Sequence, residues 1–336
     1  MTLQAPFPWF GGKSRVASLV WERFGPVQNY VEPFFGSGAV LLGCPNPART
    51  ETVNDKDGYV ANFWRSVAAD PEAVAHFVDW PVNENDLHAR HAWLVAQKER
   101  FVSRLEGDPD FYDPKIAGWW CWGLCSWIGS EWCSGKGPWA QVEGELVLKK
   151  DGEDGISRQL PHVGSRGMGI NRQLPNIGNS GVGVNRKCNP VLDWLRLLSE
   201  RLRNVRVCCG DWSRVCGLSP TTKIALTGVF LDPPYSAASN RGKSVYTYDD
   251  FEISHDVVRW AIERGEDPLM RIALCGYEGE HEFPASWKAV AWKAQGGYGN
   301  HGTGQGRDNS ARERVWFSPH CLFSETLPLF DVEEVS

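Results

Sequence analysis

Four short strand-like runs in this 336-residue chain each lead to an acidic residue, and this pattern limits the possible folds more than any other feature. The first two runs flank a glycine turn and a helical pattern, which is how a βαβ unit begins. Ahead of them, we expect a helix over residues 14–24, with Ser14 as its N-cap. Because the carboxyl ends of parallel strands meet at one edge of a sheet, we expect the four acids to converge on one crevice. Taken singly, each is more often a helix cap or a turn residue. The acids are Glu32, Asp55, Asp211 and Asp232.

The turn after the first run reads Glu32-Pro-Phe-Phe-Gly-Ser-Gly38. Its glycines let a cofactor approach the backbone closely, and its acid can bind a cationic or hydroxyl partner. The turn is not a dinucleotide fingerprint, because Leu41 occupies the third glycine position. Asp55 lies nineteen residues beyond Gly36, at the end of the next strand, where a carboxylate typically binds ribose hydroxyls.

The last of the four acids begins the tetrapeptide Asp232-Pro233-Pro234-Tyr235. An acid, two prolines and an aromatic ring at a strand end suit the methylation of an exocyclic amino nitrogen of a nucleobase. A carboxylate and a backbone carbonyl that accept the two N–H groups favour the pyramidal, reactive amine. Proline makes that carbonyl rigid, since its ring fixes φ, and tyrosine offers a face to a flipped-out base. The structural alternative is a Pro-Pro strand terminator beside a core tyrosine.

The pattern changes between residues 69 and 204, where we expect an inserted, mainly helical and loop-rich domain. Within it, Ile156-Ser-Arg-Gln-Leu-Pro-His-Val-Gly recurs from Ile170 and starts again at Val184. This glycine-rich repeat loop, residues 156–187, lacks acidic residues and suits the binding of DNA phosphates. The alternative to phosphate binding is a flexible insertion without this role. Its basic residues are Arg158, Arg166, Arg172, Arg186 and Lys187.

The composition predicts a compact cytoplasmic protein. Apolar residues make up 42% of the chain, enough for a large core, and no run of about 18 apolar residues could span a membrane. The net charge of −6 argues against general affinity for nucleic acid, although a local basic surface remains possible. The ten cysteines show no zinc-type pairing, so we expect no metal; a site at Cys121, Cys125 and Cys133 is the disfavoured alternative.

In their order along the chain, the motifs resemble a Dam-type N6-adenine DNA methyltransferase of the alpha group. The resemblance covers about residues 6–68 and 205–320. It rests on Trp9-Phe-Gly-Gly-Lys13, Glu32-Pro-Phe-Phe-Gly-Ser-Gly38, Asn54-Asp55, Gly210-Asp211 and Asp232-Pro-Pro-Tyr235. It implies a Rossmann-like methyltransferase sheet, with residues 1–68 and 205–330 as the catalytic domain and residues 69–204 as the inserted target-recognition domain.

The resemblance also implies a cofactor, S-adenosylmethionine, which would leave as S-adenosylhomocysteine. Asp55 would hold its ribose and Asp211 its adenine. Asp232 and the Pro233 carbonyl would orient the target amine, and Tyr235 would stack on the flipped adenine. Pro234, between them in the motif, would complete the catalytic set. The cofactor-binding residues would be Trp9, Lys13, Glu32, Phe34, Gly36, Gly38, Asp55, Asp211 and Asp232.

The implied partner is double-stranded DNA, bound by a monomer in a bacterial cell or a phage-infected host. The target sequence and the presence of a restriction enzyme stay open. Other open functions are methylation of cytosine N4 or of RNA, and a catalytically silent DNA-binding relative. A nicotinamide oxidoreductase is disfavoured by the missing third glycine. A P-loop hydrolase is disfavoured because Phe7 stands where Gly11-Gly12-Lys13-Ser14 would need its first glycine.

Overall fold

The computed structural model describes residues 3–9, 13–108, 110–127, 132–133, 139–142, 145–148, 190–234, 249–292 and 312–323. Its helices are α1 (Ala17–Phe24), α2 (Ala39–Leu42), α3 (Gly58–Ala69), α4 (Pro71–Val78), α5 (Glu84–Gly107), α6 (Pro114–Ser126), α7 (Pro190–Leu202) and α8 (Asp249–Gly265). Its strands are β1 (Asn29–Glu32), β2 (Thr50–Asp55), β3 (Trp139–Val142), β4 (Glu145–Leu148), β5 (Val205–Cys209), β6 (Thr227–Leu231), β7 (Met270–Tyr277), β8 (Lys288–Ala291) and β9 (Glu313–Phe317).

Within these ranges, seven strands form one sheet in the order β5-β2-β1-β6-β7-β9-β8. The first five strands in this order pair in parallel, whereas β9 is antiparallel to both of its neighbours. The parallel strands β1 and β6 are buried along their whole length, as expected for a sheet covered by helices on both sides. The predicted α/β class with a Rossmann-like sheet is therefore confirmed.

The strand order reverses at β1, whose neighbours are β2 on one side and β6 on the other. Ligands of open α/β sheets bind outside the carboxyl ends of the strands at such a reversal. We call the carboxyl ends of β5, β2, β1 and β6 the catalytic edge. Its position in the middle of the sheet brings together segments that lie about 200 residues apart in the sequence.

Helix α3 follows β2 and connects the sheet to the helices of the middle region. Asp57 caps it by accepting a hydrogen bond from the Tyr59 N–H at 2.8 Å. Helices α5, α6 and α7 all pack on α3. Asn62 of α3 fixes the start of α6, since its side chain donates to the Asp113 carbonyl and accepts from the Asp113 N–H. The middle helices are thereby held against the sheet by α3.

Two of the three tryptophans of α6 belong to the core. Trp120 and Trp122 are buried, and Trp120 packs edge-on against Phe7 at 5.0 Å between ring centroids. Trp122 contacts the guanidinium of the buried Arg90 at 4.3 Å from its ring centroid. Aromatic stacking on a cation stabilises a charge that would be costly to bury alone.

One predicted helix boundary is wrong. The sequence suggested a helix over residues 14–24 with Ser14 as its N-cap, but Lys13–Arg15 forms a short 3-10 turn and α1 begins only at Ala17. Val16 occupies the cap position without a side-chain hydrogen bond. The early turn directs Lys13 inward, and its side chain is buried.

The described residues contain no helix that is long and apolar enough to cross a membrane. Their cysteines are free thiols. In the same residues, no group of three or more histidine, cysteine or acidic side chains could hold a metal ion.

Candidate active site at the catalytic edge

The four predicted acids lie at the ends of four adjacent strands. Glu32 ends β1 and Asp55 ends β2, while Asp211 and Asp232 come within two residues after β5 and β6. The register places Asp55 opposite Cys209, two residues before Asp211. The expected convergence on one edge of the sheet is therefore present.

The glycine turn between β1 and α2 needs both of its predicted glycines. Gly36 and Gly38 have φ values of 48° and 68°, which side chains rarely adopt. A Cβ atom on Gly36 would also lie 2.3 Å from Nε1 of Trp9. Trp64 donates its indole N–H to the Gly36 carbonyl at 2.9 Å. Trp9 and the turn are thus in direct contact.

Asp55 is tied to this turn. Its Oδ2 accepts the Gly36 N–H at 2.8 Å, and its Oδ1 accepts the Asp57 N–H at 2.9 Å. Burial and the nearby Asp57 carboxylate nevertheless raise the pKa of Asp55 to about 7. The Asp55 carboxylate is therefore held in position for a ligand by two backbone amides, which carry no positive charge.

Glu32 is 2% exposed and accepts a hydrogen bond from the Tyr30 hydroxyl at 2.8 Å. Burial raises the pKa of Glu32 well above its usual range, and the charges of Asp232 and Asp55 act in the same direction. A cation that entered the crevice would offset this cost.

Asn54 is a residue whose role the sequence did not reveal. Its buried side-chain amide donates to the carbonyls of Pro33, 3.1 Å away, and Gly210, 3.0 Å away. It therefore ties together the loops that follow β1 and β5, while its own strand carries Asp55. Its Oδ1 is buried and has no hydrogen-bond partner among the residues that the structure describes. The preceding apolar strand and the following acid were the available sequence signals.

Asp232 forms an ion pair with Lys13, with 2.9 Å between Oδ2 and Nζ. Burial alone would lower the pKa of Lys13, but the Asp232 carboxylate and other nearby charges outweigh that effect, and the pKa is raised. The ammonium also faces the Trp292 ring, 5.2 Å from its centroid. Pro233 is buried and Pro234 is half-buried next to Asp232. The first three residues of the tetrapeptide thus lie on the catalytic edge.

Asp211 is exposed and caps a 3-10 turn by accepting the Ser213 N–H at 3.0 Å. The residue after it, Trp212, was not predicted to be functional. Its ring lies nearly parallel to that of Phe34, with 6.4 Å between centroids and 26° between planes.

The remaining predicted site residues lie outside the described residues. They are Tyr235, Arg158, Arg166, Arg172, Arg186 and Lys187.

The crevice suits a ligand that carries positive charge, hydroxyl groups and a planar ring. Glu32 and Asp55 are carboxylates whose pKa values burial raises. Charged and hydroxyl donors would stabilise their ionised forms. Phe34 and Trp212 offer two nearly parallel aromatic faces on the same edge. S-adenosylmethionine combines these groups, so the residues fit it.

Comparison with protein families gives a match at residues 9–100 to the model described as D12 class N6 adenine-specific DNA methyltransferase. The matched segment includes Trp9, Lys13, the glycine turn and Asp55, and it continues through α4 into α5. Comparison with curated proteins finds no match. This match confirms, over residues 9–100, the resemblance predicted from the sequence.

Proposed function

We propose that this protein transfers a methyl group from S-adenosylmethionine to N6 of a flipped-out adenine in a specific DNA sequence. The observation that carries the proposal is the position of Asp232. It follows β6 at the strand-order reversal, next to the acids at the ends of β1 and β2, and Lys13 holds its carboxylate.

The chain's own residues orient the target amine. Asp232 accepts one N–H of the amine and the Pro233 carbonyl accepts the other, which localises the nitrogen lone pair. Lys13 holds the carboxylate in place, since it donates to Oδ2 at 2.9 Å. When bound, S-adenosylmethionine supplies the electrophilic methyl group. Electrostatic contacts that are arranged before the reaction lower the barrier without reorganisation.

The cofactor is held by the glycine turn and the acids. Asp55 accepts the ribose hydroxyls, and Glu32 accepts donors of the methionine part. Phe34 and Trp212 would hold the adenine ring, with Asp211 as acceptor for its amino group. Trp9, Lys13, Gly36 and Gly38 complete the cofactor-binding set.

DNA binding is assigned to the inserted region, residues 69–204, while residues 1–68 and 205–330 carry the reaction. The arginines of the repeat loop 156–187 track phosphates, and Tyr235 stacks on the extruded base. Extrusion costs a few kcal/mol of stacking and pairing, about what such a contact recovers. The protein acts as a monomer on double-stranded DNA and needs no metal.

Methyl transfer can be tested with purified protein, DNA of mixed sequence and S-adenosylmethionine carrying a deuterated methyl group. We expect labelled N6-methyladenine in the nucleoside digest, detected by mass spectrometry. Labelled N4-methylcytosine, or label in RNA alone, would move the proposal to another amino group. The absence of labelled product would favour a silent DNA-binding relative.

Asp232→Ala should lower the rate of methyl transfer by about 10²–10³-fold or more. Removal of other preorganised groups that act on reacting atoms causes losses of this size. S-adenosylmethionine affinity, measured by calorimetry, should stay largely intact because the Asp232 carboxylate acts mainly on the target amine. Asp232→Asn serves as the control that keeps the shape of the side chain. Equal loss of turnover and cofactor affinity would show that Asp232 has a different role.

A further inference from the structure

A strand pair far from the matched segment also reaches the catalytic edge. Strand β8 ends at Ala291 and β9 begins at Glu313, and the Trp292 N–H donates to the Glu313 carbonyl at 3.3 Å. Glu313 lies opposite Tyr277, the last residue of β7. We call Trp292 and Glu313 the hairpin end.

The hairpin end flanks the ammonium of Lys13. The Trp292 ring centroid lies 5.2 Å from Nζ, and tryptophan is the strongest cation–π partner among the aromatic residues. Glu313 is only 4% exposed, and its negative charge is among those that keep Lys13 protonated against burial. The Trp292 ring and the Glu313 charge therefore act on this ammonium in addition to Asp232.

A lysine ammonium has three donors on a flexible four-carbon stem, so a single ion pair does not fix its orientation. Asp232 must offer lone pairs to the target amine while it binds Lys13. The position of the ammonium therefore determines which part of the carboxylate the amine can use.

We propose that the hairpin end, through Trp292 and Glu313, is a positioning element of the active site that holds the Lys13 ammonium against Oδ2 of Asp232. It thereby orients the carboxylate for the target amine. This inference rests on the proposed function. It extends the functional residues to a strand pair more than 180 positions beyond the family match at residues 9–100.

The hold on Lys13 can be measured without any methylation, by acetylation with an N-hydroxysuccinimide ester and peptide mass spectrometry. Lys288, exposed on β8, is an internal reference in the same chain. We expect the acetylation rate of Lys13 relative to Lys288 to rise at least about fivefold in Trp292→Leu and in Glu313→Gln. Trp292→Phe, which keeps an aromatic face, should restore most of the protection.

The matched control is Glu278→Gln. Glu278 is an exposed acid after β7 that pairs with Arg314 of β9, so the change removes the same charge from a position beside β9. Its Lys13 protection should equal that of the wild type. An unchanged Lys13 rate in both Trp292→Leu and Glu313→Gln would overturn the inference. If Trp292→Leu does not fold, the acetylation rates of Lys13 in the isosteric Glu313→Gln variant and in Trp292→Phe decide whether the inference holds.

Single-turnover kinetics test the consequence for the reaction. Trp292→Leu should lower the methyl-transfer rate about tenfold, which corresponds to about 1.4 kcal/mol, with S-adenosylmethionine affinity changed less than about twofold. Equal losses of rate and cofactor affinity would contradict a positioning role. A wild-type protein that does not methylate DNA would count against the proposed function, while the acetylation result would still decide the hold on Lys13.

Discussion

The acids at the catalytic edge differ in their partners, and this difference separates their roles. Asp232 has a buried ammonium beside it. Asp55 is bound by two backbone amides, and Glu32 by the hydroxyl of Tyr30. Among the ion pairs of the described residues, none involves Glu32 or Asp55. A ligand with positive charge or hydroxyl donors would therefore offset the burial of these two carboxylates.

The raised pKa of Asp55 predicts a pH dependence of cofactor affinity. Asp55 has a pKa of about 7, so lowering the pH below 7 protonates it and removes a charged acceptor for the ribose hydroxyls. Only about a tenth of the carboxylate is ionised at pH ~6, so affinity should be about tenfold weaker than at pH ~8. Calorimetric titration with S-adenosylmethionine across this pH range measures the change in affinity. Asp55→Asn should bind weakly at both pH values, and an equally steep dependence in this variant would exclude Asp55 as the source.

Trp212 predicts a second residue-level effect. If its ring and that of Phe34 enclose the cofactor adenine, Trp212→Ala should weaken S-adenosylmethionine by about 1–3 kcal/mol, the usual contribution of an aromatic ring stacked on a base. Trp80→Ala, which removes a tryptophan that is 44% exposed, is the control. Fluorescence or calorimetric titration gives both affinities. Unchanged affinity in Trp212→Ala would place the adenine elsewhere.

The positions of the four acids could be predicted from the sequence, whereas the roles of the aromatic residues near them could not. An acid after an apolar run has a simple signal, because parallel strands deliver their ends to one edge. Trp212 and Trp292 have no such signal, because their contacts with Phe34 and Lys13 depend on loops that join distant parts of the chain.

At the scale of elements, α7 is joined to β2 by a buried ion pair. Arg201 of α7 contacts both carboxylate oxygens of Glu51, at 2.6 and 2.8 Å, and its Nη2 also donates to the Leu41 carbonyl at 3.1 Å. Glu51 is 2% exposed. This pair connects the end of the middle region to the strand that carries Asp55.

Arg201→Met should therefore destabilise the protein by about 3–5 kcal/mol, because it leaves a buried carboxylate without its partner. The free energy of unfolding in urea measures this effect. Arg196→Ala, which breaks the exposed pair with Glu72, should cost only about 0–1 kcal/mol. The double variant Glu51→Gln with Arg201→Met should recover part of the loss. Similar losses in Arg201→Met and Arg196→Ala would contradict this account of how α7 is anchored.

Long periodic elements were well predicted from the sequence. The amphipathic pattern over residues 190–203 corresponds to α7, Pro190–Leu202, and the apolar run 205–209 corresponds to β5. The start of α1 was misplaced because Ser14 resembles an N-cap. The insertion of β9 between β7 and β8 could not be predicted, since strand order depends on packing between distant segments rather than on local pattern.

At the scale of the whole molecule, the reaction and the recognition of DNA are assigned to different parts of the chain. The strands of the seven-stranded sheet all come from residues 1–68 and 205–330. The repeat loop 156–187 carries basic residues on a chain with a net charge of −6. Local positive charge on an acidic protein directs DNA to one surface.

Changing Arg158, Arg172 and Arg186 together to alanine should lower DNA affinity and flatten its salt dependence. Each arginine that binds a phosphate should, on removal, reduce the slope of log K against log salt by about 0.9. Fluorescence anisotropy at several salt concentrations measures both quantities, with Arg196→Ala on α7 as a surface-charge control. Unchanged affinity and slope would assign the repeat loop no role in phosphate binding.

On the proposed function, Asp232 at the catalytic edge directs methylation of adenine N6 in a defined sequence. The decisive experiment is single-molecule modification sequencing of DNA from cells that express the wild type, beside cells that express Asp232→Ala. We expect N6-methyladenine within one short motif in the first sample and its absence in the second. DNA without a new mark in the wild-type sample, or the same mark in both samples, would contradict it.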